Sequence, residues 1–171
     1  ARPGLPPDVA ALVDELGPSA AETGAANTIV IGADGRLAAH NTDVDGARRC
    51  LDVLPDRRRG HGVLLGAGGA ARAAATALAR AGLAQLTILN RTPAKAEALA
   101  DELAGAPIAL ATGAVDAGSL AHHLEAADLL VNTTSRGMYP DDEATPVPAD
   151  LLRPDLDVID AVYRPNPSRL C

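Results

Sequence analysis

The sequence predicts an α/β protein built on a doubly wound parallel sheet. Three observations carry that prediction. From residue 62 onward, short apolar runs recur at 62–66, 85–90, 108–111, 128–134 and 157–163, bounded by Gly, Pro, Asn or Asp. Helical stretches alternate with them, and strand–helix alternation implies parallel strands covered on both faces. Finally, the run at 62–66 leads directly into a glycine-rich turn, Gly66-Ala67-Gly68-Gly69-Ala70-Ala71, and a helix leads directly out of it.

The elements follow in order. Residues 1–7 are rich in Pro and Gly and read as a loop. Apolar Val9, Leu12, Val13 and Leu16 have helical spacing, so Asp8–Leu16 reads as a helix stopped by Gly17-Pro18. Strands at 27–31 and 36–42 flank the turn Gly32-Ala33-Asp34-Gly35 as a hairpin, and a short helix runs from Asp43 to about Leu54. The polar connection 55–60 is the best boundary. Beyond it, helices are expected at Ala70–Ala81, Pro93–Leu103 and 116–126, the second with Pro at its first position, where the missing N–H costs nothing. Residues 135–148 read as a long loop.

Composition narrows the function. The 171 residues are 47% hydrophobic and 22% charged, enough for a packed core of one domain, or one and part of another. A net charge of −7 argues against a nucleic-acid or anionic-membrane surface, and no apolar run approaches a membrane span. There are 37 alanines, no Phe or Trp and two Tyr, which excludes an aromatic platform for bases. Cys50 and Cys171 lack metal or redox spacing and no leader opens the chain, so a reduced, cytoplasmic protein is expected. The chain starts at Ala1 without Met and stops at Cys171 after a strand-like run, which fits a piece of a longer protein.

The turn at 66–71 matches G-x-G-x-x-G/A in a Rossmann-like setting. Gly66 permits the tight turn, Gly68 lets backbone approach a pyrophosphate, and a small residue at Ala71 lets helix and strand pack. NAD sites place an acidic residue at the end of the next strand to hold the ribose 2′-hydroxyl. Here that strand ends in Asn90-Arg91-Thr92, with Lys95, the chain's single lysine, one turn further. Two cations at a helix start oppose its dipole unless an anion binds, so a 2′-phosphate and hence NADP is expected.

Six segments together carry a resemblance: Gly24-Ala25-Ala26-Asn27-Thr28, Asn41-Thr42-Asp43, the GAGGAAR turn at 66–72, NRT at 90–92, Asn132-Thr133-Thr134 with Gly137-Met138, and Asp160-Ala161-Val162-Tyr163. In this order and spacing the chain resembles the shikimate dehydrogenase family. The resemblance implies a substrate domain followed by a Rossmann-like NADP domain, and reversible reduction of 3-dehydroshikimate to shikimate in the chorismate pathway. It implies that residues 1–56 are the tail of an α/β substrate domain and 57–171 an NADP domain incomplete at its end. It assigns substrate contacts to Asn27, Asp43 and Tyr163, with Asp43 also the Asp of a catalytic Lys–Asp pair. It assigns cofactor contacts to Gly66, Ala67, Gly68, Gly69, Ala70, Asn90, Arg91, Thr92, Lys95, Thr133 and Ala161.

The chain departs from the family where a Lys is expected in an N-x-T-x-P-x-K segment; that place reads Leu5-Pro6-Pro7. The family's opening strands and closing helix have no counterpart in this sequence, and their loss would leave an unpaired sheet edge at 27–42. Other readings of single residues stay open: Asp43 or Asn41 as a helix cap, Tyr163 as a core aromatic, His40 as a structural His. His122 and His123, adjacent on a helix, are expected to point apart and hold no metal. A quinate or aminoshikimate-type dehydrogenase, a non-catalytic NADP module, and a folate- or tRNA-linked dehydrogenase are the alternatives.

Overall fold

A computed structural model describes residues 12–54, 60–163 and 168–170. Two sheets form. The smaller has three strands, β1 (Glu15–Leu16), β2 (Thr28–Ile31) and β3 (Leu37–His40), in the order β1-β3-β2. The larger has five, β4 (His61–Leu65), β5 (Gln85–Asn90), β6 (Ala109–Ala114), β7 (Leu129–Asn132) and β8 (Asp157–Asp160). Their order is β6-β5-β4-β7-β8 and every pairing is parallel. This is the doubly wound order, with its switch point between β4 and β7.

Alternation along the strands builds two apolar layers. Leu64, Leu86, Ile88, Leu129 and Val131 face one side with α3 (Gly69–Arg80) and α4 (Pro93–Glu102), which contribute Ala71, Ala74, Ala75, Leu78, Ala96 and Leu99. Val63, Leu65, Leu89 and Leu130 face the other with Leu120 and Leu124 of α5 (Ala117–Glu125) and with Leu156 and Leu170. Alanine lets α3 lie close to the sheet: Ala71 and Ala75 are fully buried. Arg153 pins the end of α5, donating to the carbonyls of Leu124, Glu125 and Ala127.

The first half differs from expectation in one place. The predicted helix Asp8–Leu16 starts outside the described residues, and Glu15–Leu16 form β1, parallel to Ala38–Ala39 of β3. Asp14 N–H donates to the Leu37 carbonyl at 2.9 Å and Leu37 N–H donates to the Asp14 carboxylate at 2.8 Å. These long-range bonds override the local apolar spacing. Gly17-Pro18 begins a helix rather than ending one: Gly17 is the N-cap of α1 (Pro18–Thr23), with Pro in its first turn. Of the two hairpin strands, β3 is paired on both sides and β2 alone carries an open edge, with Ile31 72% exposed.

Helix α2 (Thr42–Asp52) leaves β3 and packs on α3, adding Ala47 and Leu51 to the first apolar layer. The expected boundary at residues 55–59 lies outside the described residues. No helix among the described residues is long and apolar enough to cross a membrane.

Candidate active site

The turn after β4 is shaped by Gly66, whose φ is +108°. A Cβ there would lie 2.7 Å from Thr133 Oγ1. Thr133 stands at the end of β7, and both its N–H and its hydroxyl donate to the Leu65 carbonyl, at 2.9 and 2.7 Å. The switch-point crevice is therefore closed at its base by Gly66 against Thr133. Above it, Gly68 is the N-cap of α3, with extended backbone, no capping side chain and no acidic residue in the first turn. A Cβ on Gly68 or Gly69 would meet nothing within 4 Å. The unsatisfied N–H groups of the first helical turn thus face open space, which suits an anion. Ala67 and Ala70 are half-buried beside them.

The second edge of the site follows β5. Asn90 Nδ2 donates to the Thr92 carbonyl at 2.9 Å and folds the turn. Thr92 is the N-cap of α4 without a side-chain bond, Pro93 follows, and the first turn has no acidic residue. Arg91 and Lys95 are exposed and make no ion pair or side-chain hydrogen bond among the described residues. Arg72, on α3, is different. Its guanidinium grips the Glu102 carboxylate at 2.6 and 2.7 Å, and that pairing raises its pKa. Two helix starts and two unneutralised cations therefore lie together, where acidic partners are missing.

A second cluster surrounds the start of α2. Asn41 is buried and caps the helix: its Oδ1 accepts from Asp43 N–H at 3.1 Å, and its Nδ2 donates to Thr23 Oγ1 at 3.0 Å. Asn41 N–H donates to Ser19 Oγ. Asn27 Oδ1 accepts from both the N–H and the hydroxyl of Thr42, at 3.0 and 3.1 Å. The cap is therefore Asn41 and not Asp43. Asp43 is exposed in the first turn, and its carboxylate has no hydrogen bond or ion pair among the described residues. A carboxylate held in place by backbone, with its oxygens uncommitted, can accept from a ligand hydroxyl. His40 packs against Gly17, where a Cβ would come within 2.4 Å of its Nδ1, in keeping with a structural role.

A third group ends β7 and β8. Ala161 N–H donates to the Asn132 carbonyl at 2.9 Å, which brings Ala161 beside Thr133. Asn132 is fully buried, and its Nδ2 donates to Asp160 at 2.8 Å. Tyr163 is 63% exposed, so it is not a core aromatic. The sequence reading passed over Asn132, Asp160 and Ser168 as site residues, and their pairing depends on the register Asn132↔Asp160. Among the described residues no hydrogen bond joins the Asn27–Asp43 cluster to the cradle.

At the other end of the sheet, His122 and His123 do not point apart. Their rings meet at 4.8 Å and 69°, and His61 lies 6.4 Å from His123. His61 from the start of β4, held by Thr87 Oγ1 at 2.8 Å, draws the helix end into this cluster. No group of three or more metal-ligating side chains is assembled among the described residues.

Residues 50–140 match the Shikimate / quinate 5-dehydrogenase family. A shikimate dehydrogenase (NADP(+)) of Moorella thermoacetica is 48% identical over 158 residues, covering 90% of this chain and 52% of that protein. The shikimate 5-dehydrogenase of Listeria monocytogenes, solved with shikimate and NAD, superposes with a TM-score of 0.83 at 32% identity, over 95% of this chain and 58% of the other. That of Thermus thermophilus, solved with NADP(H) and shikimate, gives 0.72 at 39% identity, over 92% and 55%. The chain spans about half the length of the relatives it matches. A doubly wound sheet, a glycine turn closed by Thr133 and a match across more than half the sequence lead to one assignment: the chain belongs to the shikimate dehydrogenase family.

Proposed function

We propose that the chain forms the NADP-binding part, with one edge of the substrate site, of an oxidoreductase that interconverts 3-dehydroshikimate and shikimate in aromatic amino-acid biosynthesis. Residues 1–56 then belong to the substrate side and 57–171 to the cofactor side. One observation carries the cofactor choice: among the described residues, Arg91 and Lys95 stand without an ion pair or side-chain hydrogen bond at a helix start with no side-chain cap. A planar guanidinium and an ammonium there match the extra phosphate of NADP, and an acidic residue suited to a ribose hydroxyl is missing. The pyrophosphate is received by the N–H groups after Gly68, where no side chain intrudes. Thr133 and Ala161 line the crevice between the two strand ends.

Bound NADP supplies the hydride acceptor for alcohol oxidation, or the donor in reverse. The chain's own residues bind and orient the cyclic polyhydroxy acid. Asp43 accepts a hydrogen bond from a ring hydroxyl and manages its proton, Asn27 holds a neighbouring hydroxyl, and Tyr163 approaches from the β8 side. Lys95 is the single lysine and stands with Arg91, so Asp43 is the acid–base group this chain brings to the substrate. Losing a partner group in such a pair costs about 10²–10⁴ in rate. Work in the cytoplasm suits the exposed thiol of Cys50.

The test is calorimetric titration with NADP⁺ and NAD⁺, together with shikimate-dependent reduction of each followed by nicotinamide absorbance. NADP⁺ binding and turnover support the whole proposal. NADP⁺ binding without turnover in a folded sample reduces it to a binding module. NAD⁺ alone overturns the role given to Arg91 and Lys95. The Listeria neighbour carries NAD, so this arm is a real alternative.

A further inference from the structure

We propose that Asp160 is a positioning residue that holds both ends of the segment carrying Tyr163. The inference rests on the function above only in giving Tyr163 a substrate-facing role.

Asp160 ends β8, and its carboxylate gathers three donors. Oδ1 accepts from the buried Asn132 Nδ2 at 2.8 Å and from Val162 N–H at 3.0 Å. Oδ2 accepts from Ser168 Oγ. Val162 directly precedes Tyr163, and Ser168 lies just beyond it in the chain. Ser168 is buried, and Leu170 continues into the apolar layer of the sheet's second face. Asn132 is itself fixed, since its Oδ1 accepts from the N–H and hydroxyl of Thr134 at 3.0 and 2.7 Å. Two adjacent parallel strands thus end in matching turns. In each, a side-chain oxygen accepts from the N–H two residues on, and the two are bonded to each other across the register pair Asn132↔Asp160. Among the described residues no cation pairs with Asp160. Its bonds among the described residues are all to neutral donors, Asn132, Val162 and Ser168. Tyr163 itself is largely exposed and has no side-chain bond among the described residues. Its placement therefore comes from the anchors on either side.

The chemistry separates positioning from charge. Asparagine at 160 keeps an oxygen for Asn132 and Val162, while its amide donates to a rotated Ser168 hydroxyl. Alanine keeps none of the three. The chain offers a direct readout, because its only aromatic fluorophores are Tyr139 and Tyr163. In the Tyr139→Phe background, Tyr163 alone reports its local motion by time-resolved anisotropy.

The expected result is a severalfold larger subnanosecond amplitude in Asp160→Ala, a smaller rise in Ser168→Ala, and no change in Asp160→Asn. Leu99→Ala, on α4 in the apolar layer of the sheet's other face, serves as a control that lowers stability without touching the clasp. The proposal is overturned if folded Asp160→Ala or Ser168→Ala leaves Tyr163 as ordered as before. It is equally overturned if Leu99→Ala loosens Tyr163 to the same degree, or if Asp160→Asn behaves like Asp160→Ala. In the proposed reaction, Ser168→Ala raises KM for shikimate more than it lowers kcat. If Tyr163→Phe leaves that KM unchanged while the anisotropy results hold, the substrate role of Tyr163 fails and the positioning role of Asp160 stands.

Discussion

Gly66→Ala is the substitution whose cost the structure defines best. At φ +108° an L-residue occupies sparsely populated backbone, worth about 1–3 kcal/mol. The new Cβ would sit 2.7 Å from Thr133 Oγ1, so the hydroxyl must move and give up its bond to the Leu65 carbonyl. That bond contributes roughly 1 kcal/mol net. The Leu65 carbonyl keeps the Thr133 N–H, so it is not stranded. Alanine recovers about 0.4–1 kcal/mol by restricting the unfolded chain. The sum is a loss of roughly 1–3.5 kcal/mol, read as a lower urea midpoint at unchanged slope. Thr133→Ala removes the obstructing hydroxyl, so the two substitutions together cost about 1 kcal/mol less than their sum. Additivity within about 0.3 kcal/mol, or a Gly66→Ala loss below about 0.5 kcal/mol, refutes the account of the crevice base.

Gly68→Ala behaves in the opposite way. Its backbone is open to alanine and its Cβ meets nothing within 4 Å, so stability changes by less than about 1 kcal/mol, whereas NADP⁺ affinity measured by titration falls sharply if, as proposed, the pyrophosphate occupies the space the methyl enters. Arg91→Ala weakens NADP⁺ binding about 10–100-fold and leaves NAD⁺ binding nearly unchanged, as expected for a charged hydrogen bond of about 1.5–3 kcal/mol. Asn41→Ala removes a cap and a buried bond to Thr23, and costs roughly 2–3 kcal/mol by denaturant unfolding. His61 and His123 both titrate below the ordinary 6.5, His61 through burial and His123 through burial and the charges of His122 and His61. The unfolded chain therefore takes up protons first. Folded stability declines as pH drops below 6.5 and levels off once both folded residues are protonated, and His123→Gln flattens the slope of urea midpoint against pH.

The larger sheet was legible because its three central strands, β4, β5 and β7, are buried on both faces and read as plain apolar runs. The glycine turn was legible because Gly66 and Gly68 answer to geometry that few other sequences need. The start of the chain was not. Pro in a first helical turn and Pro after a helix look alike locally, and β1 is two residues long with its identity set by Leu37 and Ala39 across the fold. Three residues in a row, Asn41, Thr42 and Asp43, can cap a helix. Thr23 and Asn27, distant in sequence, decide that Asn41 does so, and this leaves Asp43 uncommitted. The resemblance named Asp43 and Tyr163, while local pattern alone favoured Asp43 as a cap. The Asn132–Asp160 clasp was hidden for the same reason as β1: it exists only once two strands are in register.

The packing of α2 on α3 has a mechanical consequence. Asp43 rides on a helix whose Ala47 and Leu51 belong to the same apolar layer as Ala71, Ala74 and Leu78. Close-packed seams of this kind do not shear by fractions of an ångström without opening voids. Asp43 and the glycine turn therefore travel as one stiff piece, joined by side-chain packing and not merely by the chain between them. A displacement of either one is therefore passed to the other through the α2–α3 seam.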